Sequence, residues 1–393
     1  MQPTTAGNSR TERSRVRKPS LSQTSPEKLD KSEQRRPGLK FSDCEGFHRA
    51  LRARGDLYFA EYGRRSRDLP AMYRKTAVIL AWCVASYGLL LFWASAWWHV
   101  CLLAPSLGLA MAAIGFNVQH DGGHSAYSKR RWVNKFMSMT MDVIGGSSYM
   151  WKQRHNIIHH TYTNITGHDG DIDLGTLGRL TPHQPRRGFH QFQHLYLWVL
   201  YGFVSIKWQL LDDFYHLIRG EIGETRFPRP KGWELVLFIG GKVVFYTLAF
   251  VVPMMMFPWY LVLGVYCLAS FVQGLVMSIV FQLAHVLEGA DFPLPKENSN
   301  RMEAAWAAHQ VQTTVNFAMR NPIVCWYTGG LNFQIEHHLF PHICHLNYPG
   351  LSKVVEEVCR EYGLNYAAHN TVREAMASHY QWLKELGQPE VDA

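Results

Sequence analysis

The sequence predicts an all-α integral membrane protein, with four transmembrane helices in two hairpins and a helical cytoplasmic cap. Three observations carry this. First, residues 76–120 and residues 243–287 contain no Asp, Glu, Lys or Arg, and each stretch is 45 residues long. One crossing needs about 20 apolar residues, so each stretch is sized for two crossings and a tight turn. Second, basic residues flank the first stretch on both sides (Arg64, Arg65, Arg67, Arg74 and Lys75 before it, Lys129, Arg130 and Arg131 after it), whereas neither turn carries one. The positive-inside rule then puts both termini and the segment between the hairpins in the cytoplasm. Third, clustered histidines stand beside the hydrophobic stretches, His120 and His285 at the ends of the second and fourth crossings. Long apolar helices also occur in soluble cores, but two uninterrupted spans of this length would be unusual there.

Taken in order, residues 1–40 form a basic arm in which Arg10, Arg13, Arg15, Arg17 and Lys18 sit among Ser, Thr, Gln and Pro. Too few apolar residues are present to build a core, so the arm is expected to be disordered and to touch anionic lipid. It supplies much of the net charge of +9, and no motif supports a nucleic-acid role. Residues 41–393 are read as one membrane domain. Its hairpins span about 76–118 and 233–284, turning near Trp97, Trp98 and His99 and near Pro253 to Pro258, where aromatic rings suit the headgroup level. Between them, residues 132–150 and 189–211 read as interfacial or cap helices. Lys242 breaks the apolar pattern of the third crossing, and snorkelling to the cytoplasmic edge is favoured over a buried partner. Beyond the fourth crossing, residues 302–320 and 351–362 are expected to be helical. The seven cysteines show no paired spacing and need no disulfide.

The histidines carry the chemistry. His120 and His124, then His155, His159 and His160, then His337 and His338 form three clusters, and His285 stands alone. Spacings of i to i+3 or i+4 put two rings on one helix face, and neutral imidazole ligates iron, copper, zinc and nickel. Two metals with about four nitrogens each would use all eight, whereas zinc needs four in a structural site or three in a catalytic one. Soluble di-iron bundles rely on a Glu-x-x-His pair from each of two helices, and a single such spacing, Glu45 to His48, occurs here. His48, His99, His183, His190, His194, His216, His309, His369 and His379 are read as isolated polar residues, and His168 as structural. Asp121, Glu336, Asp169, Asp171 and Asp173 are candidates to accept the second N–H of a ligating ring. A calcium loop is excluded, because Leu174 and Leu180 stand where Gly and Glu are required.

Together with these clusters, the words HNIIHHTYTN at 155–164, VFQLAHVLE at 280–288 and GGLNFQIEHHLFP at 329–341 resemble the integral-membrane fatty acid desaturases. Within them the likeness is to the front-end branch, whose third cluster opens on Gln, and to its bacterial and cyanobacterial delta-6 acyl desaturases. It runs from about residue 51 to 386. The resemblance implies a non-haem centre of two iron ions, O2 as co-substrate, electrons from an external carrier, and removal of two hydrogens from neighbouring carbons of an acyl chain, delta-6-like on an already unsaturated C18 chain. Carried over, the implied iron ligands and catalytic residues are His120, His124, His155, His159, His160, His285, His337 and His338. Gln334 either binds iron through its amide oxygen or holds another ligand. Elementary chemistry agrees, because an unactivated methylene has no acidic proton for ordinary acid–base groups to take.

Trp151, Tyr149, Phe271 and Phe333 are candidate walls for an acyl slot. Lys129, Arg130, Arg131, Lys152 and Arg154 could receive a phosphate-bearing acyl carrier or an acidic electron donor, or simply adhere to the inner leaflet. The acyl group could ride on glycerolipid, coenzyme A or carrier protein. No His-Pro-Gly-Gly haem motif is present, so electrons are expected from a separate ferredoxin or cytochrome b5. The rival functions are an acyl-chain hydroxylase on the same scaffold, a zinc-dependent membrane hydrolase, and a non-catalytic metal or lipid carrier.

Overall fold

The computed structural model describes residues 38–389 apart from Glu45 and Asn298. The expected basic arm lies outside them except for its last residues, where Lys40 is bridged to Arg301. The described chain is mostly helical, and four of its helices are long and apolar enough to cross a membrane. After α1 (Gly46–Glu61) come the first two of these, α2 (Pro70–Phe92) and α3 (Trp97–Gly123). The central segment contains Arg131–Ser138, Thr140–Val143 and Ser148–Trp151, a π-helical turn at Lys152–His159, and α4 (Gln193–Lys207). The other two long helices are α5 (Trp233–Met254) and α6 (Trp259–His285). The short α7 (Gln334–Leu339), α8 (Tyr348–Glu361) and α9 (Val372–Gly387) follow.

Local sequence explains the element ends. Pro70 opens α2 at a position that needs no N–H donor, and residues 93–96 join it to α3. That turn lies just ahead of Trp97, close to the expected place. The turn before Pro258 falls within the expected stretch. Expected helices at 132–150 and 302–320 are shorter and broken, because Gly145 takes φ +101 and interrupts the first, while only Trp306–Gln312 of the second is helical.

Tight crossings hold the long helices together. A Cβ on Gly108 of α3 would stand 2.2 Å from the Ala269 carbonyl of α6, and one on Gly274 of α6 would stand 2.6 Å from the Gly202 carbonyl of α4. Glycine at these places brings backbones within van der Waals reach, the usual means of association where no water drives it. The outward faces keep large apolar side chains exposed, among them Val84, Phe92, Trp97, Ile239 and Met255. Two small sheets complete the fold. Glu221–Ile222 pairs antiparallel with Thr225–Arg226, and Asn316–Phe317 pairs in parallel with Ala368–His369. The second sheet sits on a core shared with α3, α6 and α9 that includes Phe116, Leu283, Phe317 and Ala375.

Lys242 departs from the sequence expectation. It does not snorkel: it is 5% exposed, and its ammonium lies 2.7 Å from the Asp213 carboxylate and 2.7 Å from the Gly145 carbonyl. A buried partner from a segment far away in sequence satisfies the charge, which periodicity within one helix cannot reveal.

Candidate metal centre

Eight histidines from four separate segments meet in one buried cluster. His120 and His124 stand at the end of α3, past a π-helical turn at Ile114–Gln119. His155, His159 and His160 lie in or just after the second π-helical turn, His285 ends α6, and His337 and His338 lie on α7. Such widened turns are rare and recur where a helix must redirect side chains. Gly123 admits the site's main aromatic neighbour, since a Cβ there would fall 2.2 Å from the Trp151 ring.

The ring nitrogens sort into two groups joined by one imidazole. Those of His120, His124, His155 and His337 all lie within 4.8 Å of one another, and so do those of His159, His285 and His338. His160 makes a third such set with His337 and His338, and its Nε2 lies 3.3 Å from Nε2 of His155. The eight residues expected from sequence are therefore all brought together. Gln334 joins them at the edge, its side-chain amide 2.8 Å from Nε2 of His285.

Both groups hold ring nitrogens that no protein group satisfies. Nε2 of His120, His124, His159, His337 and His338, and Nδ1 of His160 and His285, are buried without a hydrogen-bond partner. An orphaned buried polar atom costs about 1–3 kcal/mol, so seven in one place call for a cation. On the far side several rings are tied. Nδ1 of His159 donates to Asp169, 2.9 Å away, and Nδ1 of His338 donates to the side-chain oxygen of Gln310, 2.7 Å away. Nδ1 of His337 faces the Tyr348 hydroxyl at 3.4 Å. These partners fix the tautomer and leave the Nε2 lone pair for a metal. Burial, then neighbouring imidazoles, hold His124, His155, His160, His337 and His338 well below the ordinary histidine pKa, so they are neutral at neutral pH. For His159, burial is outweighed by the Asp169 carboxylate and the pKa is raised. A set of clustered imidazole nitrogens of this kind fits a pair of first-row transition ions.

Of the acidic candidates, only Asp169 behaves fully as expected. Asp121 pairs instead with Nδ1 of His345 at 2.9 Å, whose Nε2 lies 2.8 Å from the Lys75 ammonium. Glu336 accepts from Tyr366 and Asn316, and burial pushes its carboxyl up to about 7. Asp171 pairs with Arg154 and lies 3.9 Å from His159, and Asp173 caps the Gly175 amide. Arg154 is thereby engaged in the fold, whereas Lys129, Arg130, Arg131 and Lys152 are exposed. His168 rests against Tyr162, outside the cluster. His309 bonds to the Thr163 carbonyl and His379 lies 2.9 Å from Tyr201, as isolated polar residues do. Sequence reasoning passed over Gln310, Tyr348 and His345; a His-x-x-His pair at His342 and His345, just beyond the third cluster, was the one available signal.

An apolar cavity of about 350 Å³ lies among α2, α3, α5 and α6. Leu107, Met111 and Ile114 of α3, Phe245 of α5, Tyr266 of α6 and Ile144 are among the residues that line it. None of Trp151, Tyr149, Phe271 and Phe333 lines it, because each is claimed elsewhere. Phe271 fills the space over Gly202, the Tyr149 hydroxyl donates to the Pro228 carbonyl, and Phe333 lies in the core under α1 and α8. Trp151 packs with Ile114 and Ile144, and its ring stacks 4.6 Å from that of His155. It stands between the residues of the cavity wall and the histidines.

A family model described as fatty acid desaturase matches residues 95–370. The chain is 40% identical over 358 residues to the sn-1 linoleoyl-lipid 6-desaturase of Arthrospira platensis, covering 90% of this chain and 96% of that protein. It is likewise 40% identical to the sn-1 linoleoyl-lipid 6-desaturase of Synechocystis sp., over 89% of this chain and 98% of that one. An acyl-lipid (8-3)-desaturase of Physcomitrium patens is 35% identical, over 89% of this chain and 74% of the relative.

Proposed function

Because the chain belongs to the fatty acid desaturase family, we propose that its eight clustered histidines hold two non-haem iron ions and that it places a cis double bond at the delta-6 position of an already unsaturated acyl chain. The chain is a fatty acid desaturase, an oxidoreductase of lipid metabolism seated in the membrane. The delta-6 assignment draws on two relatives named sn-1 linoleoyl-lipid 6-desaturases. The observation that carries the iron assignment is the set of seven buried ring nitrogens without a hydrogen-bond partner, on histidines gathered in one cluster.

The overall change removes one hydrogen from each of two adjacent carbons, and these two hydrogens, with O2, two electrons and two protons, become two waters. Two iron ions bound there would supply the capacity to use dioxygen against an unactivated methylene. The remaining work belongs to the chain. His120, His124, His155 and His337 would hold one ion, His159, His285 and His338 the other, with His160 between them and Gln334 next to His285. Asp169 and Gln310 keep His159 and His338 in the ligating tautomer. The cavity among the long helices seats the acyl tail and excludes water, so the polar end lies near the cap and a fixed pair of carbons faces the histidines. Trp151 closes the space between tail and centre.

By the same proposal the long helices pair as two hairpins, the cap and both termini are cytoplasmic, and residues from 41 onward form one desaturase domain, preceded by a basic arm that touches anionic lipid. Electrons come from a separate ferredoxin or cytochrome b5. The test is expression in a host fed linoleate, followed by mass spectrometric mapping of double bonds. A product lighter by two hydrogens with a new delta-6 bond is expected. A product heavier by one oxygen would assign a hydroxylase, and a new bond elsewhere would remove the delta-6 assignment.

A further inference from the structure

The Lys242–Asp213 pair has no part in holding the histidines, yet it is buried in apolar surroundings where a charge is costly and ordinarily marks function. Through Lys242 and the neighbouring Gln209 it reaches the carbonyls of Gly145 and Ile144, in the unwound stretch 144–147 between Thr140–Val143 and Ser148–Trp151. Backbone carbonyls in such a stretch lack helical partners and must be satisfied from elsewhere. Lys242 spends its three N–H groups on the Gly145 carbonyl at 2.7 Å, the Asp213 carboxylate at 2.7 Å and the Gln209 carbonyl at 3.4 Å. The Gln209 side chain donates to the Ile144 carbonyl and to Gln273, both at 3.0 Å, and accepts from the hydroxyls of Tyr266 and Ser270. Asp213 also accepts from the Trp208 indole at 2.9 Å. Every donor and acceptor of the Gln209 amide is thus in use, which leaves the stretch one arrangement.

Three residues of this assembly, Ile144, Tyr266 and Ser270, line the apolar cavity. Gly145 is compressed against Gln209 and Phe245, where a Cβ would fall within 2.8 Å of both. Ile114, which lines the same cavity and packs in one cluster with Ile144, stands six residues before His120, about 9 Å along the helix. The wall fixed by the ion pair therefore lies within the length of an acyl tail from the histidines.

We propose that Lys242 and Asp213 are positioning residues: by pinning residues 144–147 through the Gly145 carbonyl and Gln209, they hold one wall of the acyl cavity and so decide which pair of carbons is presented to the histidines. The inference rests on the cavity being the seat of the acyl tail. The test compares the wild type with the double variant K242M/D213L, in which both charges go together. Replacing a buried pair by apolar residues is often neutral for folding, whereas removing one partner strands the other. Cells fed linoleate are assayed for double-bond positions, and the purified variants for iron content, kcat and KM.

The double variant is expected to keep its iron, lose turnover at the wild-type position by on the order of tenfold to a hundredfold, and release a neighbouring positional isomer. A double variant that binds iron and returns the wild-type isomer at the wild-type kcat and KM overturns the proposal. Should the double variant fail to accumulate, I144A decides: it trims the wall without touching a charge, and an unchanged isomer distribution also overturns the proposal. Each variant is judged against the wild type's own product. An unexpected wild-type product therefore counts against the delta-6 reading and leaves this comparison intact.

Discussion

Replacing Asp169 by Asn isolates the contribution of one hydrogen-bonded carboxylate to one half of the metal centre. Asp169 accepts three bonds: from Nδ1 of His159 at 2.9 Å, from the Asn164 amide at 3.0 Å, and, through its other oxygen, from the Asp171 amide at 3.0 Å. Asn keeps the shape but has one accepting atom. Placed toward His159 and Asn164, its oxygen preserves two bonds and turns an NH2 against the Asp171 N–H; placed the other way, it loses His159. Either outcome leaves a buried donor unmet, a cost of about 1–3 kcal/mol. Partners of ligating histidines typically contribute tenfold to a hundredfold in metal affinity, roughly 1.4–2.7 kcal/mol, so D169N is expected to weaken one of two iron ions by that factor. Titrating a chelator against purified protein and counting iron per chain reads the effect directly: release in two steps, with only the first shifted. Iron binding unchanged at both positions would refute the claim that Asp169 orients a ligand.

Alanine at His159 or His337 should abolish desaturation and lower bound iron, while alanine at His183 or His369 should leave both unchanged, measured by acyl profiles and metal analysis. G108A should lower the melting temperature in detergent, because its Cβ falls 2.2 Å from the Ala269 carbonyl and the two helices must separate; overpacking of this kind costs about 1–3 kcal/mol. Burial holds His379 down to about 4, from an ordinary 6.5. Between those values the unfolded chain binds a proton that the folded one does not, so stability is intact above pH 6.5 and falls as pH drops toward 4. The loss is at most about 3 kcal/mol for this group. H379Q should flatten that part of a plot of unfolding midpoint against pH.

The long helices and the histidine clusters were legible because their signals are local. Absence of charge over 45 residues and histidines at helical spacing can be seen along the chain. What escaped was set by contacts between distant segments. Lys242 finds Asp213 from 29 positions away, so its hydrophobic neighbours suggested snorkelling. Asp121 lies inside a histidine cluster but serves His345, 224 positions on. Gln310 orients His338 from a stretch with no metal-ligand spacing at all. The four aromatic residues expected to wall an acyl slot do not line the cavity for a related reason: an aromatic residue near a membrane face has many possible neighbours, and Phe271 is claimed by the gap over Gly202.

By the proposed function, the same geometry would couple iron binding to folding. Seven ring nitrogens without partners are gathered in one buried space, and each such atom costs about 1–3 kcal/mol when left unmet. Even the lower figure, multiplied over the set, rivals the entire stability of an ordinary domain, about 5–15 kcal/mol. Protein without metal must therefore either admit water or loosen α7 against the end of α3. Metal binding to such ligands is folding free energy in the same measure. Iron-loaded protein should consequently melt at a clearly higher temperature than protein stripped by a chelator under nitrogen, and stripping should speed hydrogen exchange first in residues 334–339 and 155–160. Identical melting and exchange with and without iron would mean that the cluster is satisfied without a metal, and the argument from orphaned nitrogens would fall.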